Sequence, residues 1–183
     1  GTRLSEETGV RPKPMVEVGG IPILWHIMKI FEHGGVTEFI VCLGYKGDVI
    51  KSYFRDFALM SSDITIDLAN GAIETHRAGA ENWKVTLVDT GDGTSTGGRL
   101  KRVAEYLDED KPFFMTYGDG LADIDLIALR QHHGALGACV TVSAVKPSAR
   151  FGRLKLAGDW VDAFEEKPTD EEGYVNGGFF VIE

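Results

Sequence analysis

Four cations stand in loop-like stretches of an otherwise acidic chain: Arg3 in GTRL, Lys13 in RPKPM, Arg99 in TGGRL and Lys167 in FEEKP. One carboxylate, Asp119, lies between two glycines in YGDG. Fixed cations around a single carboxylate are what the handling of a phosphate polyanion requires. An aspartate at a strand end, flanked by residues without bulk, also suits Mg²⁺, which takes only one or two protein carboxylates and leaves its other positions to water and phosphate. Each piece has a plainer use as well. YGDG makes a good tight turn, and a lysine in a charged run is ordinarily solvated. Lys13 stands between Pro12 and Pro14, and Lys167 precedes Pro168. Proline fixes φ and removes a backbone donor, so Lys13 is expected on a stiffened, extended segment outside any helix.

The stretch DTGDGTSTGGRLKR concentrates four glycines and four hydroxyl side chains before a helical pattern with Leu100, Val103, Ala104 and Leu107 on one face. Backbone donors at such a helix start attract anions, and the glycines allow a ligand close to the main chain. A flexible turn would read the same way. The stretch matches neither the GxxxxGK[ST] phosphate loop nor the GxGxxG dinucleotide fingerprint. No GxSxG elbow occurs. His132 and His133 are adjacent and lack the spacing of a zinc pair, and His26, His33 and His76 have no recognisable partners in sequence.

The elements that must position these groups follow from periodicity. IPILWHIMKIFEHGG places Ile23, Leu24, Ile27, Met28 and Phe31 at helical spacing, with Pro22 suited to the first turn and Gly34 and Gly35 to the stop. VTEFIVCLG reads as a buried parallel strand, and GDVIKSYFRDFALM returns to helical period. DITIDLA, KVTLVD, the helical GRLKRVAEYLDED, PFFMTYGDG, the helical IDLIALRQHHGAL and ACVTVSAV continue the alternation. This predicts an α/β fold, Rossmann-like and doubly wound, with a mostly parallel mixed sheet. RFGRLKLAGDWVDAFEEKP and GYVNGGFFVIE hold no helix long enough for a crossover, so antiparallel additions are expected in the C-terminal third. Ligands in such folds gather at the carboxyl ends of the strands, where the DTGDG, YGDG and EEKP stretches fall.

The 183 residues, 43% hydrophobic and 26% charged, suit one domain with a sizeable core. A net charge of −9 argues against a nucleic-acid polymer or an anionic membrane surface as partner. No stretch reaches the roughly eighteen apolar residues of a membrane span, and no leader pattern is present, so a cytoplasmic setting is expected. Cys42 and Cys139 sit in apolar runs and are expected to be reduced, buried thiols.

GTRL, RPKPM, YGDG, FEEKP and NGGFFV, in this order, resemble the sugar-1-phosphate nucleotidyltransferases, which join a nucleoside triphosphate to a sugar phosphate. PILWHIMKIF, LVDTGDGTSTGGRLKRV, YGDGLADID and RFGRL look like the cytidylyltransferase branch, which uses CTP and glucose 1-phosphate to make CDP-glucose for bacterial surface deoxysugars. The resemblance implies that Gly1, Thr2 and Arg3 close a glycine-rich loop around the triphosphate, with Arg3 on the leaving pyrophosphate and Lys13 on phosphate oxygens. It implies nucleotide contacts from Thr94, Arg99 and Gly118, and Mg²⁺ held by Asp119. Glu166 and Lys167 would face the sugar and its phosphate. It further implies one nucleotidyltransferase domain over residues 1–183 that lacks the family's first strand and C-terminal region, and a homo-oligomer. Rival expectations are UTP or dTTP in place of CTP, or a non-catalytic homologue that binds nucleotide or sugar without reacting.

Overall fold

The computed structural model describes residues 11–77, 81–146, 153–157, 160–165 and 174–183. They divide into two compact units. One holds the described residues as far as Lys111 together with Gly118–Ala128, and the other holds Pro112–Tyr117 and the described residues from Leu129 onward.

In the first unit the chain makes a single 3₁₀ turn, Lys13–Met15, closed by Met15 N–H on Pro12 O (2.8 Å) and Val16 N–H on Lys13 O (3.1 Å). Lys13 therefore opens a helical turn, and the expected extended segment ends at Pro12, whose φ and ψ are −67° and 149°. The two prolines lack N–H groups that a first turn leaves unpaired anyway, so they favour the turn's start. β1 (Glu17–Val18) and β2 (Ile21–Pro22) form a minimal hairpin. Its two linking residues, Gly19 and Gly20, have φ of +63° and +81°.

Helix α1 (Ile23–His33) buries Leu24, Ile27, Met28 and Phe31, the stripe that periodicity predicts. Gly34 and Gly35 terminate it, with the Gly35 N–H on Glu32 O (2.8 Å). β3 (Glu38–Leu43) runs parallel to β6 (Lys84–Asp89) in continuous register from Glu38↔Lys84 to Leu43↔Asp89. Helix α2 (Gly47–Met60) follows β3 and packs Ile50 into the core with Met15, Leu24, Met28 and Leu43. Phe39, Tyr53, Phe54 and Trp83 pack against that cluster. Each aliphatic side chain so enclosed stabilises the fold by about 1.5–3 kcal/mol relative to exposure.

The alternation breaks at DITIDLA. β4 (Asp63–Asp67) pairs antiparallel with β5 (Ala72–Arg77) and forms a separate hairpin with exposed strands, outside the β3–β6 ladder. The cue was Asn70–Gly71, a hairpin turn sequence between alternating residues, and Gly71 takes φ +75°. After β6, α3 (Thr96–Val103) is shorter than its apolar pattern and passes into a 3₁₀ turn over Ala104–Tyr106. Only Val103 of that face is buried.

The second unit contains a three-stranded antiparallel sheet, β7 (Phe113–Met115), β11 (Val175–Ile182) and β8 (Val140–Val145), with β11 in the middle. Its register against β8 shifts between Asn176 and Phe180, where Gly178 and Phe179 have φ of +74° and +51°. β9 (Arg153–Ala157) and β10 (Trp160–Glu165) make an antiparallel hairpin, matching the additions expected in the C-terminal third. Helix α4 (Leu126–Leu136) carries His133, whose ring nitrogens meet Thr141 Oγ1 (2.8 Å) and Glu183 Oε1 (3.1 Å). The chain is mixed α/β as expected, with its parallel pairing among the described residues in β3 and β6 and antiparallel pairing elsewhere. Cys42 is half-buried, whereas Cys139 is exposed, contrary to the expectation of a buried thiol. It lies in the link between α4 and β8, outside the strand whose apolar run it shares. No helix among the described residues is long and apolar enough to cross a membrane.

Candidate active site

Two segments far apart in sequence meet in the first unit. Lys13, at the start of the 3₁₀ turn, brings its Nζ to 3.8 Å from Asp119 Oδ2. Beneath them Gly118 lies flush on the Pro14 ring, where a Cβ would stand only 3.0 Å from Pro14 Cγ. The RPKPM and YGDG stretches are thus one site, joined by a proline face that tolerates glycine and by an ion pair. Both charged groups keep much of their surface open, 65% for Lys13 and 47% for Asp119, so the pair is a weak contributor to stability. Its separation exceeds hydrogen-bond length, which leaves the carboxylate oxygens available to another ligand.

The second cluster lies just beyond the ends of β3 and β6, where a parallel pair presents its carboxyl edge. Thr90 is fully buried. Its N–H and hydroxyl both donate to Leu43 O, at 2.9 and 2.8 Å. Arg99, in the first turn of α3, donates from Nη1 to Leu43 O (3.0 Å) and Thr90 Oγ1 (2.6 Å), and from Nη2 to Asp92 O (3.2 Å). Arg102 Nη1 donates to Thr90 O and to Thr94 Oγ1, the latter at 2.8 Å. Gly44 suits this packing, because a Cβ there would sit 2.8 Å from Arg99 Nη2 and oblige the guanidinium to shift. Cys42 is near the same cation. Burial pushes its thiol upward, and the charge of Arg99 opposes that only in part, so it is a poor nucleophile.

Of the residues singled out in sequence, Lys13, Gly118 and Asp119 come together, and Thr94 and Arg99 share the loop-and-helix cluster after β6. Gly1, Thr2, Arg3, Glu166 and Lys167 lie outside the described residues. Sequence reading passed over Thr90, Arg102 and Gly44. A buried threonine and a glycine facing a guanidinium have no local signature, although Arg102 lies one turn from Arg99 and shares its face.

His26 and His76 have structural surroundings. His26 Nε2 meets Val18 O (3.0 Å), and His76 Nε2 meets Thr65 Oγ1 (2.7 Å) across the β4–β5 hairpin. Trp25 and Trp83 flank Lys29, which is paired with Glu32 and Glu81. Among the described residues no group of three or more His, Cys, Asp or Glu side chains could cage a metal. The donor set at Asp119 suits an ion held mainly by its substrate.

The nucleotidyl transferase family model matches residues 1–183. Over its full length the chain is 54% identical to the glucose-1-phosphate cytidylyltransferase of Salmonella typhimurium, of which it covers 71%. It is 44% identical to the "Probable glucose-1-phosphate cytidylyltransferase" of Bacillus subtilis, of which it covers 70%. Among solved structures, HddC from Yersinia pseudotuberculosis superposes with a TM-score of 0.61 at 27% identity, over all of this chain and 72% of that one. A match along every residue, in a chain whose Lys13 and Asp119 meet across an α/β scaffold, leads to one assignment: the chain belongs to the nucleotidyl transferase family.

Proposed function

We propose that the protein transfers the cytidylyl group of CTP to α-D-glucose 1-phosphate, giving CDP-glucose and pyrophosphate. The observation that carries the chemistry is the meeting of Lys13 and Asp119 on the Gly118–Pro14 contact. The choice of CTP and glucose 1-phosphate is supported by the 54% identity to a cytidylyltransferase.

A phosphate oxygen of the sugar phosphate attacks the α-phosphorus, an O–P bond forms, and the α–β anhydride bond breaks as pyrophosphate leaves. The attacking oxygen is already anionic near neutral pH, so no histidine base is needed. Alignment and charge compensation are needed instead. Lys13 neutralises phosphate oxygens. To Gly1, Thr2 and Arg3 we assign the glycine-rich loop around the triphosphate, and to Arg3 the leaving pyrophosphate. Thr94, Arg99 and Gly118 lie on the nucleotide side, with Gly118 small enough for the chain to pass close to Pro14. Glu166 and Lys167 hold the sugar and its phosphate. Asp119, half-open and free of a hydrogen-bonded partner among the described residues, fits Mg²⁺ carried in with the triphosphate. When bound, that ion supplies further stabilisation of the charge on the transferring phosphoryl group. A cytoplasmic homo-oligomer is the setting in which we place this activity.

Pyrophosphate release is to be measured with glucose 1-phosphate and each of the four ribonucleoside triphosphates and dTTP, with and without Mg²⁺. Release with CTP, dependent on the divalent ion, is expected. Preference for UTP or dTTP would move the base assignment, and binding without release from any triphosphate would leave a non-catalytic homologue.

A further inference from the structure

Thr90 has no exposed surface, so it cannot touch a substrate. Its polar groups nevertheless tie together the cluster at the ends of β3 and β6. The N–H and hydroxyl of Thr90 donate to the carbonyl that ends β3. With the hydroxyl hydrogen spent on Leu43 O, an Oγ1 lone pair faces Arg99 Nη1 at 2.6 Å. The Thr90 carbonyl accepts from Arg102 Nη1, and the same nitrogen reaches Thr94 Oγ1. One buried residue therefore links the β3 terminus, the loop after β6 and the first turns of α3.

We propose that Thr90 is a positioning residue for the nucleoside triphosphate, its hydroxyl aiming Arg99 and its carbonyl, through Arg102, aiming the Thr94 hydroxyl. This rests on the reading that Thr94 and Arg99 face the nucleotide. An arginine fork is rigid, so engaging three of its five N–H donors with Leu43, Thr90 and Asp92 fixes the direction of the other two. Without the Thr90 acceptor the fork gains rotational freedom that ligand binding must remove. That cost falls on the triphosphate and not on the sugar phosphate.

The test compares Thr90→Val, which keeps the shape and removes the hydroxyl, with Thr90→Ser, which keeps the hydroxyl. Val103→Ala, a core truncation in α3, the helix that carries Arg99 and Arg102, controls for lost stability alone. Initial rates give KM for each substrate, and calorimetric titration gives Kd for CTP and UTP in the absence of turnover. Thr90→Val is expected to raise both KM and Kd for the triphosphate about tenfold, the scale of one lost charge-assisted contact. KM for glucose 1-phosphate stays within about twofold on the same scale, and Thr90→Ser returns close to the parent. If Thr90→Val barely folds, Arg102→Gln, at an exposed side chain, gives the second reading and is expected to weaken the triphosphate by a smaller factor. Equal rises for both substrates, or a Thr90→Val variant indistinguishable from Val103→Ala, overturns the proposal. Turnover with UTP in place of CTP would change the base assignment while leaving the Thr90 effect to be read on UTP.

Discussion

Gly44→Ala is a small change whose cost can be worked from the packing around Arg99. The backbone at Gly44 is not among those with positive φ, so alanine can adopt it, and the narrower unfolded ensemble alone would favour the variant by about 0.4–1 kcal/mol. Against this, the new Cβ would stand 2.8 and 3.0 Å from the two terminal nitrogens of Arg99 and 3.3 Å from Cζ. A guanidinium is ordinarily free to move aside, but this one is held by Leu43 O, Thr90 Oγ1 and Asp92 O. A retreat of a few tenths of an ångström loosens at least one bond, and losing a hydrogen bond to a charged group costs about 1.5–3 kcal/mol. The low end applies, because Leu43 O keeps both donors from Thr90 and is not left unpaired. The net is a destabilisation of about 1 kcal/mol, or a fall of about 2–4 °C in Tm for a chain of this size. In an Arg99→Ala background the obstruction is gone and the entropic advantage remains. Gly44→Ala should then be neutral or stabilising. Urea denaturation of the parent, both single variants and the double variant measures this coupling. A Gly44→Ala penalty of the same size and sign with and without the Arg99 side chain would refute the reasoning.

Asp119→Asn and Lys13→Ala are each expected to lower kcat/KM by about 10²-fold or more, the scale of losing a principal electrostatic stabiliser, with little change in Tm because their pair is solvent-screened. Unchanged pyrophosphate release from either removes that residue from the site. Lys167→Ala should chiefly raise KM for glucose 1-phosphate, and an effect confined to the nucleotide would place Lys167 on the other substrate. Hydrogen bonding to Lys29 holds the Glu32 carboxyl below its ordinary 4.5, and the same contact holds the Lys29 ammonium above its ordinary 10.5. The glutamate's contribution is therefore complete above pH 4.5 and fades as pH falls through its depressed folded value, while the lysine's is complete below 10.5 and fades as pH rises beyond it. Urea midpoints for the parent and Lys29→Met should differ at pH 7 and converge at both extremes. A constant difference across pH would mean that Lys29 acts through its packing on Trp25 and Trp83 alone.

What the sequence determined by itself was whatever depends on near neighbours. The α1 stripe of Leu24, Ile27, Met28 and Phe31, the apolar β3 and β6 segments, the glycine stops and the turn at YGDG follow from periodicity and local backbone preferences, which act over a few residues. The motif order likewise sufficed for the family, since residue types in sequence carry that information directly. Tertiary structure decided which distant groups meet. That DITIDLA would leave the main ladder for a hairpin with AIETHR, that Lys13 would open a 3₁₀ turn and lie 3.8 Å from Asp119, and that Cys139 would be exposed depend on pairings between separated segments. Thr90 is the clearest case. In sequence it is one hydroxyl among four in a glycine-rich stretch, and only the closing of α3 over the ends of β3 and β6 buries it against Leu43, Arg99 and Arg102. Hydrogen bonds made across such closures are fixed by three-dimensional geometry, for which residue order carries no local signal.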